Sequence, residues 1–321
     1  MRYVLVVNPT AGKKNPVQWF LPEIKQFFTE KQVEFSVRIT NAPRHAAHIA
    51  LEEAERGGEV RVIAVGGDGT LCEVANGVMG CRNASVGMLP CGSGNDYIRS
   101  FGTKDDFLAL PRLLEAKAYS VDMIRDEQSC ALNLCSVGLD ASVALHMVQY
   151  KKLPFVTGSM AYNMALAREL IGPIGRSLRI CVDQKFKMEG NFLFALAGSG
   201  RYYGGGYCGA PQAIVNDGLL DFVLIRKPKN KLQLPVLLKE YKAGTFLQSR
   251  RFQDILVFLR GKKIQIDTME GKAAANCDGE CRYVTHASLE VLPGAVRFLI
   301  PSGCISPAIL KCRNTESASK L

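Results

Sequence analysis

In the first 124 residues, short strand-like runs alternate with helical segments, and three of the runs end in turns of small residues. That rhythm restricts the fold more than any other feature. Tyr3–Val7, Glu34–Thr40, Val60–Val65 and Ser85–Leu89 read as strands. Between them Val17, Phe20, Leu21, Ile24, Phe27 and Phe28 recur at helical spacing, with Pro22 tolerable only in a first turn. Arg44–Arg56, stopped by Gly57-Gly58, and Leu71–Met79 read as the next helices. Short apolar strands joined by helices predict a parallel sheet covered on both faces. After Asp122 the pattern changes. Ala131–Val137, Leu178–Val182, Asn191–Ala197, Leu219–Ile225, Lys263–Ile266, Ser288–Leu292 and Val296–Ile300 read as strands, several of them half-exposed. Helices are expected only at about Gly158–Ile171 and Pro235–Ala243. The predicted fold class is an α/β N-terminal domain with a parallel sheet (1–124) and a mostly-β sandwich C-terminal domain (125–300). The tail, 301–321, is expected to pack back on the first domain.

Charge follows the same division. The 321 residues carry 40 Lys and Arg against 30 Asp and Glu, a net charge of +10. Met1–Ile124 is neutral, with 14 residues of each sign, whereas Arg226–Lys263 alone holds 11 basic and 2 acidic residues. Such a patch suits an anionic partner, either nucleic acid or a membrane surface. The longest apolar runs, Val4–Val7 and Phe192–Ala197, are far below the ~18 residues of a membrane span. The N-terminus is too short in apolar residues for a signal peptide. Eleven cysteines without a C-x-x-C pair, and only 4 histidines, argue against zinc and for free thiols in a reducing, cytoplasmic compartment. The Asn83-Ala84-Ser85 sequon then carries no meaning, and the terminal Ser319-Lys320-Leu321 is discounted as a peroxisomal address.

The chemistry concentrates in three turns, each following a predicted parallel strand: Asn8-Pro9-Thr10-Ala11-Gly12, Gly66-Gly67-Asp68-Gly69-Thr70, and Pro90-Cys91-Gly92-Ser93-Gly94-Asn95-Asp96. In an open α/β sheet the carboxyl ends of the strands line one crevice, where ligands bind. Glycines there let backbone amides approach an anion, and the helix after Gly69-Thr70 aims its positive end at a phosphate. The literal G-x-G-x-x-G at Gly204, Gly206 and Gly209 precedes Ala210-Pro211 and no helix. It is read as a backbone of unusual φ, such as a flexible substrate loop, and not as a dinucleotide site. Bland readings are preferred for His45 and His48 (a solvated helix start), Trp19 (helix packing) and Cys277 (an inert buried thiol). Lys13-Lys14 is left open between phosphate contact and solvent.

Five segments in fixed order carry a resemblance: Asn8-Pro9-x-x-Gly12, Gly66-Gly67-Asp68-Gly69-Thr70, Pro90-x-Gly92-Ser93-x-Asn95-Asp96, Asp217-Gly218-x-Leu220-Asp221 and Asp278-Gly279-Glu280. Together they resemble the diacylglycerol kinase catalytic family, the soluble bacterial lipid kinases related to sphingosine and ceramide kinases. The fold implied is that of NAD kinases and phosphofructokinases with a sandwich domain appended. Ser93 stands where the family usually has Thr, and either hydroxyl can bond a phosphate. The resemblance implies magnesium-ATP in the interdomain cleft. Asn8, Pro9, Thr10, Ala11, Gly12, Thr40, Gly66, Gly67, Asp68, Gly69, Thr70, Ser93, Asn95 and Asp96 would form the nucleotide site. Asp68 would position Mg2+ and the transferred phosphate, and Asp278 or Glu280 would be the base. A structural magnesium is implied at Asp217, with main-chain carbonyls of Ile214 and Leu219. Phosphoryl transfer leaves a protein mainly positioning and charge stabilisation, which this residue set can supply.

The expected activity is ATP-dependent phosphorylation of diacylglycerol to phosphatidic acid, from the cytoplasmic face of a membrane. The basic segment, notably Arg250, Arg251, Lys262 and Lys263, is the expected anionic-membrane face. The alternatives are a kinase of the same scaffold acting on NAD or another lipid alcohol, and a nucleotide-binding sensor without turnover. Nucleic acid is not an expected partner, because charge alone suggests it. A homodimer is one assembly left open.

Overall fold

The computed structural model describes residues 1–150, 153, 156, 158–172, 174–304, 308 and 309. Its N-terminal half opens with four parallel strands, β1 (Arg2–Val7), β2 (Phe35–Ile39), β3 (Val60–Gly66) and β4 (Ala84–Pro90), in the order β2-β1-β3-β4. Every residue of β4 is buried, as a strand covered on both faces requires. The covering helices are α1 (Pro16–Trp19) and α2 (Leu21–Glu30) on one face, α3 (His45–Glu55) and α4 (Asp68–Gly77) on the other. The expected single helix around Phe20 is thus two, and Pro22 falls in the first turn of the second, where its missing N–H is harmless. The α3 helix buries Ala46, Ile49, Ala50, Glu53 and Ala54, one face at 3.6-residue period. Glu53 is tolerated there because Arg38 (2.8 Å), Arg56 (3.0 Å) and Arg2 (3.5 Å) converge on it. Trp19 is 44% exposed, its ring stacked on Phe20, so it packs less than its type suggests.

Two short helices, α5 (Lys104–Leu108) and α6 (Leu110–Leu114), lead into β5 (Lys117–Arg125), β6 (Cys130–Ala131) and β7 (Leu134–Gly138). Then follow α7 (Leu139–Tyr150), α8 (Gly158–Ile171), β8 (Arg176–Val182), β9 (Phe186–Gly198), β10 (Tyr202–Tyr203), β11 (Tyr207–Cys208), β12 (Leu220–Arg226) and α9 (Leu234–Ala243). The chain closes with β13 (Leu256–Gly261), β14 (Lys263–Thr268), β15 (Ala273–Cys277), β16 (Glu280–Val284) and β17 (His286–Ile300). This half is mostly β, as expected, and its strands pair almost wholly antiparallel. Alternation explains how β12 is buried on both sides. Phe222 and Leu224 enter the sandwich core, while Val223 and Ile225 meet the layer of α7, α8 and α9.

The fifteen-residue β17 ties the halves together. It pairs with β14 early, with β5 along both parts, and with β4 in parallel at Phe298–Val86. A register shift between Leu292 and Val296 lets one strand turn from sandwich to parallel sheet. Of the tail, Ala308 is buried in the parallel-sheet core and its carbonyl accepts from Val215 N at 2.8 Å. Residues 310–321, including Ser319-Lys320-Leu321, lie outside the described residues.

Candidate active site

The carboxyl edge of β1, β3 and β4 brings the three small-residue turns together. Cys91 N and Gly92 N donate to Gly66 O at 2.8 and 3.1 Å, bolting the third turn to the second. Asn8 Nδ2 donates to Thr70 Oγ1 at 3.1 Å, joining the first turn to the second, while Asn8 Oδ1 accepts from Thr10 N and Thr10 Oγ1. Glycine is required for this closeness. A Cβ on Gly12 (φ +75°) would lie 2.1 Å from Cys91 O, and one on Gly92 would lie 2.4 Å from Gly67 Cα. Asn95, in the left-handed region at φ 51°, donates from Nδ2 to Gly92 O at 2.7 Å and holds the third turn closed. Thr40 follows β2 on the same edge, its N–H donating to Val7 O at 2.9 Å. Thr10, Gly12, Gly69 and Ser93 stay exposed on the rim, with Lys13 and Lys14, and Pro9 and Ala11 shape the first turn.

Beyond the rim the carboxylates gather. Asp68 opens α4 and its Oδ1 accepts from Asp96 N (2.8 Å) and Tyr97 N (3.2 Å). Asp96 Oδ2 accepts from Gly205 N at 2.7 Å, and Arg99 Nε lies 3.1 Å from its other oxygen. Gly204–Gly206 therefore form a tight hairpin turn between β10 and β11, all three at positive φ, docked on Asp96. Asp278, at φ 46°, accepts from Leu132 N (2.6 Å), Asn133 N (3.0 Å) and Leu134 N (2.9 Å), which spends both its oxygens on backbone amides. Burial and the neighbouring Asp96 and Asp278 push Asp68 up to about 6 against the pull of its two amide donors. Burial likewise raises Asp278 and Asp96 above the ordinary carboxylate range.

Asp278 stands in the wall between two hollows. One, of about 300 Å³, is polar and runs from Gly69, Cys72 and Glu73 on α4 to Glu280 on β16. The other, of about 340 Å³, has Asp68, Asp96, Asp140 and Asp278 at one end and an apolar wall that includes Val143, Met147, Leu166, Phe194 and Leu238. No Lys or Arg among the described residues lines the second hollow. Its polar end carries a relay that the sequence did not announce: Tyr203 Oη donates to Asp140 Oδ2 at 3.3 Å and is 3.1 Å from Tyr241 Oη. Only the tyrosine-rich Tyr202–Tyr207 stretch around the glycines hinted at it.

This pairing of a glycine-lined anion edge with an apolar, acid-ended cavity agrees with what the chain resembles. Residues 2–125 match the diacylglycerol kinase catalytic domain, and 133–300 match the YegS C-terminal NAD kinase beta sandwich-like domain. The chain is 32% identical to the "probable lipid kinase YegS-like" protein of Pseudomonas aeruginosa, over 84% of this chain and 86% of that one. It is 28% identical to lipid kinase YegS of Escherichia coli K12, over 94% and 96%. The chain belongs to the YegS-like lipid kinase family. A solved structure of a diacylglycerol kinase from Bacillus anthracis shares its fold, with a TM-score of 0.66 at 19% identity over 96% of this chain and 98% of that one.

For a lipid kinase, the rim fits a nucleotide polyphosphate. Its turns pack so closely that a Cβ would intrude between them, and the ten-residue α4 points its N-terminus there. Asp68 adds a hard oxygen donor suited to magnesium. The two carboxylates proposed as base are not equivalent. Asp278 is committed to three amides, whereas Glu280 is exposed on the polar side of the wall. Asp217, Ile214 and Leu219 lie on the loop before β12, on the path from Asp122 and not in either hollow. Cys277 is 4% exposed, as an inert thiol should be. Cys72, which the sequence reading passed over, borders Asp278, and burial raises its thiol well above the usual range.

Proposed function

We propose that this lipid kinase transfers the γ-phosphoryl group of magnesium-ATP to the free hydroxyl of diacylglycerol, forming phosphatidic acid at an anionic membrane surface. The observation that carries the reading is the 340 Å³ cavity, apolar along its length and acidic where it meets the nucleotide edge. An acyl chain gains about 0.8 kcal/mol for each methylene buried in such a wall. A dinucleotide, with two charged phosphates, would meet four carboxylates and, among the described residues, no Lys or Arg there. That favours a neutral lipid over NAD.

Asn8, Thr10, Gly12, Thr40, Gly66–Thr70 and Ser93 hold the nucleotide, chiefly through amides and hydroxyls. Asp68 is the residue placed to hold magnesium, which when bound neutralises charge on the phosphates. Glu280, between the cavity-lining Gly279 and Cys281, takes the hydroxyl proton, because it is exposed and holds no amide, whereas Asp278 is held by three. The lipid oxygen then bonds to the γ-phosphorus as the bond to ADP breaks. Asp278 acts as a positioning residue that holds the β6–β7 junction between the two hollows.

The lipid has to be drawn from a bilayer. Leu166 of α8 and Leu238 of α9 line the cavity, and the same helices and their flanks present Ile171 (86% exposed), Leu232 (83% exposed) and Val236 outside it. Lys227, Lys229, Lys231 and Lys239 are exposed around them. This basic, apolar rim is the proposed membrane face. Of the residues first assigned to it, Arg251 pairs with Glu240 and Lys263 lies 3.5 Å from Glu290, so part of the charge is spent internally. The test is a substrate panel with magnesium-ATP. Diacylglycerol should give phosphatidic acid and NAD should give no NADP; the reverse result sinks the proposal.

A further inference from the structure

The family resemblance puts a magnesium ion at the loop before β12, but the side chains there are arranged around a different cation. Asp221 and Arg260 are directly opposed partners in the β12–β13 ladder, so the register itself lays the guanidinium beside the loop. Arg260 Nε donates to Asp221 Oδ1 at 2.8 Å, and a terminal nitrogen of the same guanidinium pairs with Asp217 Oδ2. Asp217 Oδ1 is taken by Leu219 N at 3.0 Å. Both oxygens of the expected metal ligand are therefore engaged, and one oxygen of the 1%-exposed Asp221 is taken by the same group, its Oδ2 having no hydrogen-bond partner among the described residues. The planar fork of arginine can bridge two carboxylates, which a lysine ammonium does less well. A divalent ion would need a free carboxylate oxygen beside the main-chain carbonyls, with water completing its shell. Among the described residues no set of three His, Cys, Asp or Glu side chains is gathered for one.

We propose that the Arg260 guanidinium is the resident cation of this loop, binding Asp217 and Asp221 together so that the loop needs no metal. The consequence reaches the active site by a chain of bonds. Gly218 N donates to Asp122 Oδ2 at 2.8 Å, and Ser199 Oγ lies 3.4 Å from the Asp122 carbonyl. Ser199 N donates to Asn133 O, and Asn133 N to Asp278. Arg260 is thus a positioning residue, joined to Asp278 through Asp217-Gly218, Asp122, Ser199 and Asn133. The assignment does not depend on which lipid is phosphorylated.

The test is thermal unfolding without nucleotide, in EDTA and in millimolar magnesium or calcium. All variants carry Asp68→Asn, which removes the carboxylate proposed to hold magnesium at the transfer centre. With Arg260 intact, the midpoint should be the same in both conditions. Arg260→Gln should lower it in EDTA by more than about 3 °C and recover with the divalent ion, which can then replace the missing charge. Arg260→Lys should fall between the two in EDTA. The proposal is overturned if the Arg260 protein is stabilised by divalent ions and Asp217→Asn abolishes that gain. It is equally overturned if Arg260→Gln is unaffected, or is destabilised without rescue. Should Arg260→Gln fail to fold, the comparison of the Arg260 protein with Asp217→Asn still decides.

Discussion

Asp68 carries two opposed demands. In its proposed role it is ionised to hold a cation, yet burial beside Asp96 and Asp278 pushes it up to about 6. A carboxyl raised above its unfolded value, near 4, costs stability when ionised, so the cost is present above about pH 6 and gone below about pH 4. Asp68→Asn keeps an oxygen for the two amides and removes the charge. Its unfolding midpoint should exceed the parent's at pH 7.5, and the gap should close as pH falls toward 4, while turnover is lost. A midpoint difference that does not change with pH would mean the charge is not the cause. Glu280→Gln should lower kcat by about 100-fold or more with nucleotide affinity unchanged. Asp278→Asn should instead lower thermal stability, because at least one of three amides loses its acceptor. Loss of turnover without loss of stability in Asp278→Asn would return the role of base to Asp278. At Gly12 the demand is steric: Gly12→Ala places a Cβ against Cys91 O at positive φ and should cost about 1–3 kcal/mol in denaturant unfolding.

Among the elements, the parallel sheet was readable from the chain because β1, β3 and β4 are covered on both faces and each ends in a turn needing glycine. The sandwich was less so. The β15 and β16 hairpin bears Ala273-Ala274-Ala275, which has no strand signature, and its pairing to β7 is set by Asp278 binding three amides across the chain. The α7 helix went unread because its apolar face looks into a cavity, leaving a mixed sequence without a clean period. Three of the five motifs mark the anion edge by residue, but the apolar wall of the cavity is built from α7, α8, β9, β11 and α9, with no motif to announce it. At the rim, Ile171→Glu with Leu232→Glu should reduce turnover on anionic vesicles by about tenfold or more, since each removes exposed apolar surface and adds repulsion. Vesicle co-sedimentation should fall in parallel. Full sedimentation of the double variant would place the membrane face elsewhere.

Over the whole molecule, the +10 charge and the fold explain each other only once the pairing is known. Arg260 serves the β12 loop, Arg251 serves Glu240, and the guanidinium of Arg226 lies over the Phe192 ring. What is left includes the exposed Lys227, Lys229 and Lys239, while the proposed nucleotide edge lies in the neutral half. No helix among the described residues is long and apolar enough to cross a membrane. The account turns on one cavity receiving the lipid beside Asp68. Its most direct test is the rate of phosphatidic acid formation from radiolabelled ATP and diacylglycerol, compared with that of Val143→Trp, which fills the cavity from a wall residue that is 3% exposed. The account predicts product from the parent and a loss of about 100-fold or more in the variant, with ATP binding retained. No product from the parent, or an equally active variant, would contradict it.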